Sequence, residues 1–148
     1  MTIHRYNHII KQELDKLQRI LHAAARVVSR TSKYDHITPV LRELHWLPIA
    51  KRIDYKILLL TFKALHGMAP VYIADLIQVY RKERTLRSNS DNLLVIPKGS
   101  HSKSGDKSFA FAAPTLWNNL PRHCRDADTL ECFKSRLKTH LFKQAYQV

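Results

Sequence analysis

Arginine and lysine are the residues of this chain whose spacing points most directly to chemistry. Arg19, Arg26, Arg30 and Lys33 stand seven, four and three positions apart. On a helix of about 3.6 residues per turn that spacing stacks them within an arc of roughly 60°. No acid interrupts the stripe after Asp15, and most of it is arginine. The planar, permanently charged guanidinium fork suits bidentate contact with phosphate. A second group, Arg81, Lys82, Arg84 and Arg87, lies in a stretch rich in Ser, Asn and Gly. Together these eight residues form a candidate nucleic-acid-binding set, with an ordinary solvated helix face and loop as the bland alternative.

Other chemistries find no complete pattern. A phosphate-cradling loop needs clustered glycines, whereas Gly67, Gly99 and Gly105 are far apart. No Gly-x-Ser-x-Gly nucleophile elbow occurs. Two-metal polymerase or nuclease chemistry needs convergent carboxylates, and no Asp-Asp pair is present. Asp126 and Asp128 come closest, and Asp128 is better placed as a helix cap. His123, Cys124, Cys132 and His140 are four potential zinc ligands, but their spacing lacks the opening Cys-x-x-Cys of a finger or knuckle. His45 and His66 each adjoin an apolar anchor, Trp46 and Leu65, and read as hydrogen-bonded helix-end residues rather than bases. The sequence therefore predicts no catalytic residue, no metal and no cofactor, and binding in place of catalysis.

Composition agrees with a polyanion as partner. The 148 residues contain 25 Lys and Arg against 12 Asp and Glu, a formal charge of +13. A chain so basic repels itself until an acidic partner or a polyanion neutralises it. Two cysteines without an apolar leader predict free thiols and an intracellular setting. No apolar run, Ile57 to Leu60 included, is long enough to cross a bilayer, so no membrane is expected as a partner.

The elements that would position these residues are mainly helices. Over 6–32, Ile9, Ile10, Leu14, Leu17, Ile20, Leu21, Ala24, Val27 and Val28 recur at helical spacing and share one broad face. Thr38 and Pro39 read as cap and first position of a short helix over 39–45, stopped at Trp46-Leu47-Pro48. A helix from Ile49 to His66 follows, ended by Gly67, and its second half is apolar on nearly every side, as in a buried central helix. Another starts at Pro70 and runs to about Tyr80. Residues 81–107 read as a basic loop with one short strand, Leu93 to Ile96. Phe109, Phe111, Leu116, Trp117 and Leu120 form an aromatic, core-seeking segment around Pro114 and Pro121. The last helix opens on Asp128 with Glu131 completing a capping box, and runs to about Tyr146. The expected fold is mainly α. It is a single small helical domain over 1–148, with a basic amphipathic helix, a helical core over 39–80, the basic loop, and an aromatic segment with its C-terminal helix over 108–148. At most one short hairpin or strand is expected.

A series of short blocks resembles a known family. They include Ala23-Ala24-Ala25-Arg26-Val27-Val28, Asp35-His36-Ile37-Thr38-Pro39-Val40-Leu41, and Leu44-His45-Trp46-Leu47-Pro48. Further along come Phe62-Lys63-Ala64-Leu65-His66-Gly67, Ala112-Ala113-Pro114-Thr115-Leu116-Trp117-Asn118-Asn119-Leu120-Pro121, and Phe133-Lys134-Ser135-Arg136-Leu137. In this order they are similar to the C-terminal region of the reverse-transcriptase polyprotein of jockey-like non-LTR retrotransposons, over roughly residues 14 to 146. The resemblance implies a fragment that lacks the endonuclease and the polymerase metal site. It also implies a role in holding RNA or DNA beside the polymerase. One alternative is a packing module whose apolar face, including Trp46, Trp117 and Phe142, docks on the polymerase part. Others are a remnant without a selected function of its own, and a small hydrolase or metal enzyme using His45, His66 or the His123 group.

Overall fold

A computed structural model describes residues 3–80, 92–97 and 108–147, with side chains from residue 11 onward. The basic segment bearing Arg81, Lys82, Arg84 and Arg87 lies outside the described residues. The fold is mainly α, with helices α1 (Ile3–Ser29), α2 (Ile37–Glu43), α3 (Ile49–Leu65), α4 (Val71–Ala74), α5 (Phe109–Asn118), α6 (Arg122–Arg125) and α7 (Leu130–Tyr146). Its contacts group into two compact units, Met1–Ile53 with His140–Val148, and Asp54–Thr139.

In the first unit, Leu21 and Ala25 of α1 pack on Val40 and Leu41 of α2, with Ile37, Leu44, Trp46, Ile49 and Tyr146 around them. The turn of α1 facing inward is thus narrower than its apolar composition suggests. Leu17, Ile20, Val27 and Val28 are exposed, Val27 by 78%. The single apolar face expected on this helix therefore splits, because the buried line follows Leu14, Gln18, Leu21, His22, Ala25 and Ser29. Gln18 has a reason to turn inward: its Oε1 accepts from the backbone N–H of Ile49 at 2.8 Å, supplying a partner for the first turn of α3. The Tyr146 hydroxyl donates to the carbonyl of Trp46.

Three helices end in the same device. Arg30, His45 and Gly67 have φ of 53°, 53° and 67°. In each case the next amide bonds back to the carbonyl five residues earlier: Thr31 to Arg26 at 3.1 Å, Trp46 to Leu41 at 2.9 Å, and Met68 to Lys63 at 2.8 Å. This is the Schellman closure, which takes up carbonyls the helix leaves unpaired. It ends α1 at Ser29 rather than at 32. The short second helix is also displaced. It runs from Ile37, its N-cap is His36 without a side-chain cap, and Thr38 lies inside it. The backbone of 36–37 turns in early because Ile37 packs against the core.

The second unit is built on stacked aromatics. Phe62 and Phe133 stack with centroids 4.3 Å apart, and Trp117 lies 5.7 Å from Phe133. All three are buried, with Leu58, Thr61, Ala113, Pro114 and Leu137. Buried Thr61 donates its hydroxyl to the Ile57 carbonyl at 2.8 Å, so no polar group is stranded there. The second half of α3 is not buried all round, as its sequence suggests: Leu60 is 38% exposed. The helix started by Pro70 stops after Ala74 rather than continuing to Tyr80. The aromatic segment becomes α5, with Pro114 inside it. Proline there removes one backbone donor, yet burial of Ala113, Pro114 and Trp117 holds the helix.

The strand expected at Leu93 to Ile96 reduces to a single antiparallel bridge, Leu94 to Val79. Its other edge is taken by a side chain. The Asn118 amide accepts from the Leu94 N–H and donates to the Leu94 carbonyl, both at 2.9 Å, imitating a neighbouring strand. Trp117 Nε1 donates to the Asn92 carbonyl at 2.7 Å. At α7 the cap is Thr129, not Asp128: its Oγ1 accepts from the Cys132 N–H at 3.2 Å. The phase of α7, set by inward Phe133, Leu137 and Leu141, places Thr129 there.

These burials separate two neighbouring leucine-to-alanine changes. Leu58→Ala should cost about 2–5 kcal/mol of unfolding free energy and Phe62→Ala about 3–5 kcal/mol. Leu60→Ala, on the wet side of α3, should cost about 1 kcal/mol or less. Urea denaturation of the three variants checks the order.

Candidate nucleic-acid interface

The basic stripe of α1 takes a different form from a straight row. Arg19 is exposed in the middle of the helix, and Arg26 is half-buried. Arg30 has already left the helix, in the left-handed position that closes it. Lys33 lies in the following loop, its ammonium 4.9 Å from the Tyr34 ring centroid. The structure therefore brings Arg30 and Lys33 together at the C-terminal end of α1 and leaves Arg19 about three turns away.

Arg26 has a structural task at this end. Its guanidinium donates to the Ser32 carbonyl and, at 2.8 Å, to the Asp35 carbonyl. Asp35 Oδ2 in turn accepts from the Ser32 N–H at 3.2 Å, and Ser32 Oγ accepts from the Tyr34 N–H at 3.4 Å. Ser29 Oγ donates to the Ala25 carbonyl at 2.9 Å and lies 2.6 Å from Thr31 Oγ1. The loop 30–35 is thus tied to α1 at several points, and it carries Arg30, Lys33 and Tyr34 on its surface. Tyr34 is 85% exposed. Sequence reasoning passed over it. Its signal was an aromatic residue in a short polar loop, beside a lysine.

Around α1 the side chains form three stripes. The buried line and the exposed apolar line through Leu17, Ile20, Ala24 and Val27 lie roughly 130° apart, and Arg19 with Arg26 occupies the remaining side. His22 lies at the edge of the buried line nearest the basic side. Its pKa is held below the usual imidazole value by burial, and secondarily by Arg26. It thus carries less positive charge than an unperturbed imidazole at the same pH.

The second unit contains a cavity of about 560 Å³, lined by His66, Arg122, Arg125, Asp126 and Asp128 with apolar neighbours including Leu94. His66 stacks on Phe62 at 3.9 Å, and its Nδ1 lies 2.8 Å from the Phe62 carbonyl. Arg122 is bonded to Asp126 at 3.1 Å. Arg125 donates to the Asn118 carbonyl at 3.1 Å. A hydrolytic reading asks for two histidines and a carboxylate in one pocket, and the described lining supplies one histidine. His45 belongs to the other unit, stacked 5.6 Å from Phe142. Among the described residues no three of His, Cys, Asp and Glu come together as a metal site.

The thiols differ sharply. Cys124 is fully buried, 3.4 Å from His123 Nε2, and burial pushes its thiol up, against a smaller opposing effect of Arg136. Cys132 is half-buried on α7. A raised pKa leaves less thiolate at a given pH, and the thiolate is the nucleophile. In the folded protein at pH about 8, a chromogenic disulfide reagent should therefore modify Cys132 first. Cys124 should react only after denaturation. Prompt modification of Cys124 in the native state would contradict the buried geometry.

Comparison of the chain with protein-family models, curated proteins and solved structures finds no match.

Proposed function

We propose that the chain is a non-catalytic nucleic-acid-binding module, of the kind found at the C-terminal end of a jockey-like non-LTR retrotransposon reverse-transcriptase polyprotein. One observation carries this reading: with 25 cations and 12 anions, pairing every acid still leaves an excess of +13 for an external polyanion. Arg19, Arg30 and Lys33 are exposed members of that excess on one helix and its closing loop. Counterion release from phosphates is the driving force available to such a surface, and it is indifferent to base sequence.

A second reading has its own observation. Exposed Leu17, Ile20, Val27 and Val28 form an apolar stripe on α1, which favours a packing module that docks on another protein part, such as the polymerase of the parent family. The two readings separate on nucleic acid alone. If the chain ignores RNA and DNA at low salt, docking replaces binding as the function.

The binding reading expects micromolar or weaker affinity, falling steeply with salt. Changing Arg19, Arg30 and Lys33 together to Gln should flatten the log–log salt slope on duplex DNA by about two to three units. Helicity by circular dichroism should persist, since Gln and Arg have similar helix propensities. Arg26 is left in place because it ties the loop. An unchanged slope would make this surface ordinary solvated charge. The non-catalytic part of the proposal expects no template-dependent product from the purified chain in primer extension with Mg²⁺ or Mn²⁺.

A further inference from the structure

We infer that the loop closing α1 is a stacking platform for single-stranded nucleic acid, with Tyr34 as the base-stacking residue. The inference rests on the nucleic-acid reading above and narrows it from any polyanion to an unpaired strand.

Three observations meet at this loop. Tyr34 is 85% exposed, and since Lys33 lies over one side of its ring, the opposite face is the one offered to a base. Lys33 stands 4.9 Å from the ring centroid, and Arg30 is exposed four residues before Tyr34. A strand whose phosphates meet these cations has its bases within reach of the ring. Finally, the loop is held in shape by the Arg26 guanidinium on the Ser32 and Asp35 carbonyls and by the Asp35 and Ser32 side chains. An exposed aromatic on an anchored loop loses little freedom when a base settles on it, so most of the stacking energy remains as affinity.

The chemistry selects for unpaired strands. In a duplex the base faces are already stacked on one another, and only groove edges and phosphates are accessible. A single strand presents bases whose faces are open to an aromatic ring, and this contact accepts every base because each has a π face. Tyr34 therefore adds affinity for single strands without adding sequence preference. Arg30 and Lys33 supply the salt-dependent part common to both forms.

The test compares oligo(dT) and oligo(U) with a mixed-sequence duplex carrying the same number of phosphates, across a salt series. The wild-type chain should prefer the single strands. Tyr34→Ala should weaken single-strand binding by about five- to a hundredfold while leaving duplex binding within about twofold. Its salt slope should not change, because no phosphate contact is lost, and Tyr34→Phe should bind like wild type. Since Tyr34 projects into solvent, the variant should keep wild-type helicity. Binding of single strands that Tyr34→Ala leaves unaltered would overturn the platform and leave the broader nucleic-acid reading standing. Equal losses on duplex and single strand would do the same. A wild-type chain that binds neither form at low salt would overturn both.

Discussion

Phe133 is the contact on which the second unit turns. It has no exposed surface, and it lies between Phe62 of α3 and Trp117 of α5. Stacked and tilted aromatic pairs of this kind add about 0.5–1.5 kcal/mol beyond burial. More important here is what the ring fixes. It sets the rotation of α7, turning Leu137 inward one turn later and making Thr129 the residue that meets the Cys132 amide. Through Trp117 it also holds α5 helical across Pro114, whose ring would otherwise favour a break. The indole of Trp117 then reaches the Asn92 carbonyl, and Asn118 beside it clamps Leu94. Local preferences at three places yield to one apolar contact.

The first unit is organised by a different economy of charge. A chain at +13 gains nothing from adding cations to its interior, yet Arg26 is drawn half inside. Its five donors make that possible, since the guanidinium can satisfy two loop carbonyls while staying charged at its edge. Lysine, with a single nitrogen on a flexible stem, would not span both acceptors in the same way. The basic stripe thereby divides into a structural member and exposed ones. Of the exposed ones, Arg30 and Lys33 share the closing loop with the Tyr34 ring, while Arg19 stays on the helix about three turns away.

The long helices were legible because their apolar residues recur with the right period: α1, α3 and α7 lie within a few residues of where the sequence places them. Gly67 also announced its helix end correctly. Arg30 and His45 close helices in the same left-handed conformation without glycine; the sequence places His45 at a helix end, whereas nothing in the residue type of Arg30 marks it. Periodicity also overcounted. Leu17, Ile20, Val27 and Leu60 keep helical spacing but face water, because apolar spacing shows which residues share a face and not whether anything covers it. The geometry of the basic stripe departs from its spacing for a related reason. The spacing of Arg19, Arg26, Arg30 and Lys33 assumes a helix to the end, whereas the chain turns at Arg30 and presents Tyr34 instead.

Gly67 carries one more implication. A methyl group built at its α-carbon meets nothing within 4 Å, so space is not what reserves the position for glycine. The reservation comes from its φ of +67°, which an L-residue reaches only at a cost of roughly 1–2 kcal/mol. What the α3 terminus demands is handedness rather than smallness. A D-alanine placed there by chemical synthesis has the mirror-image preference and narrows the conformations open to the unfolded chain. Glycine at 67 is thus the nearest approach that a ribosomal alphabet allows to a residue of the opposite hand.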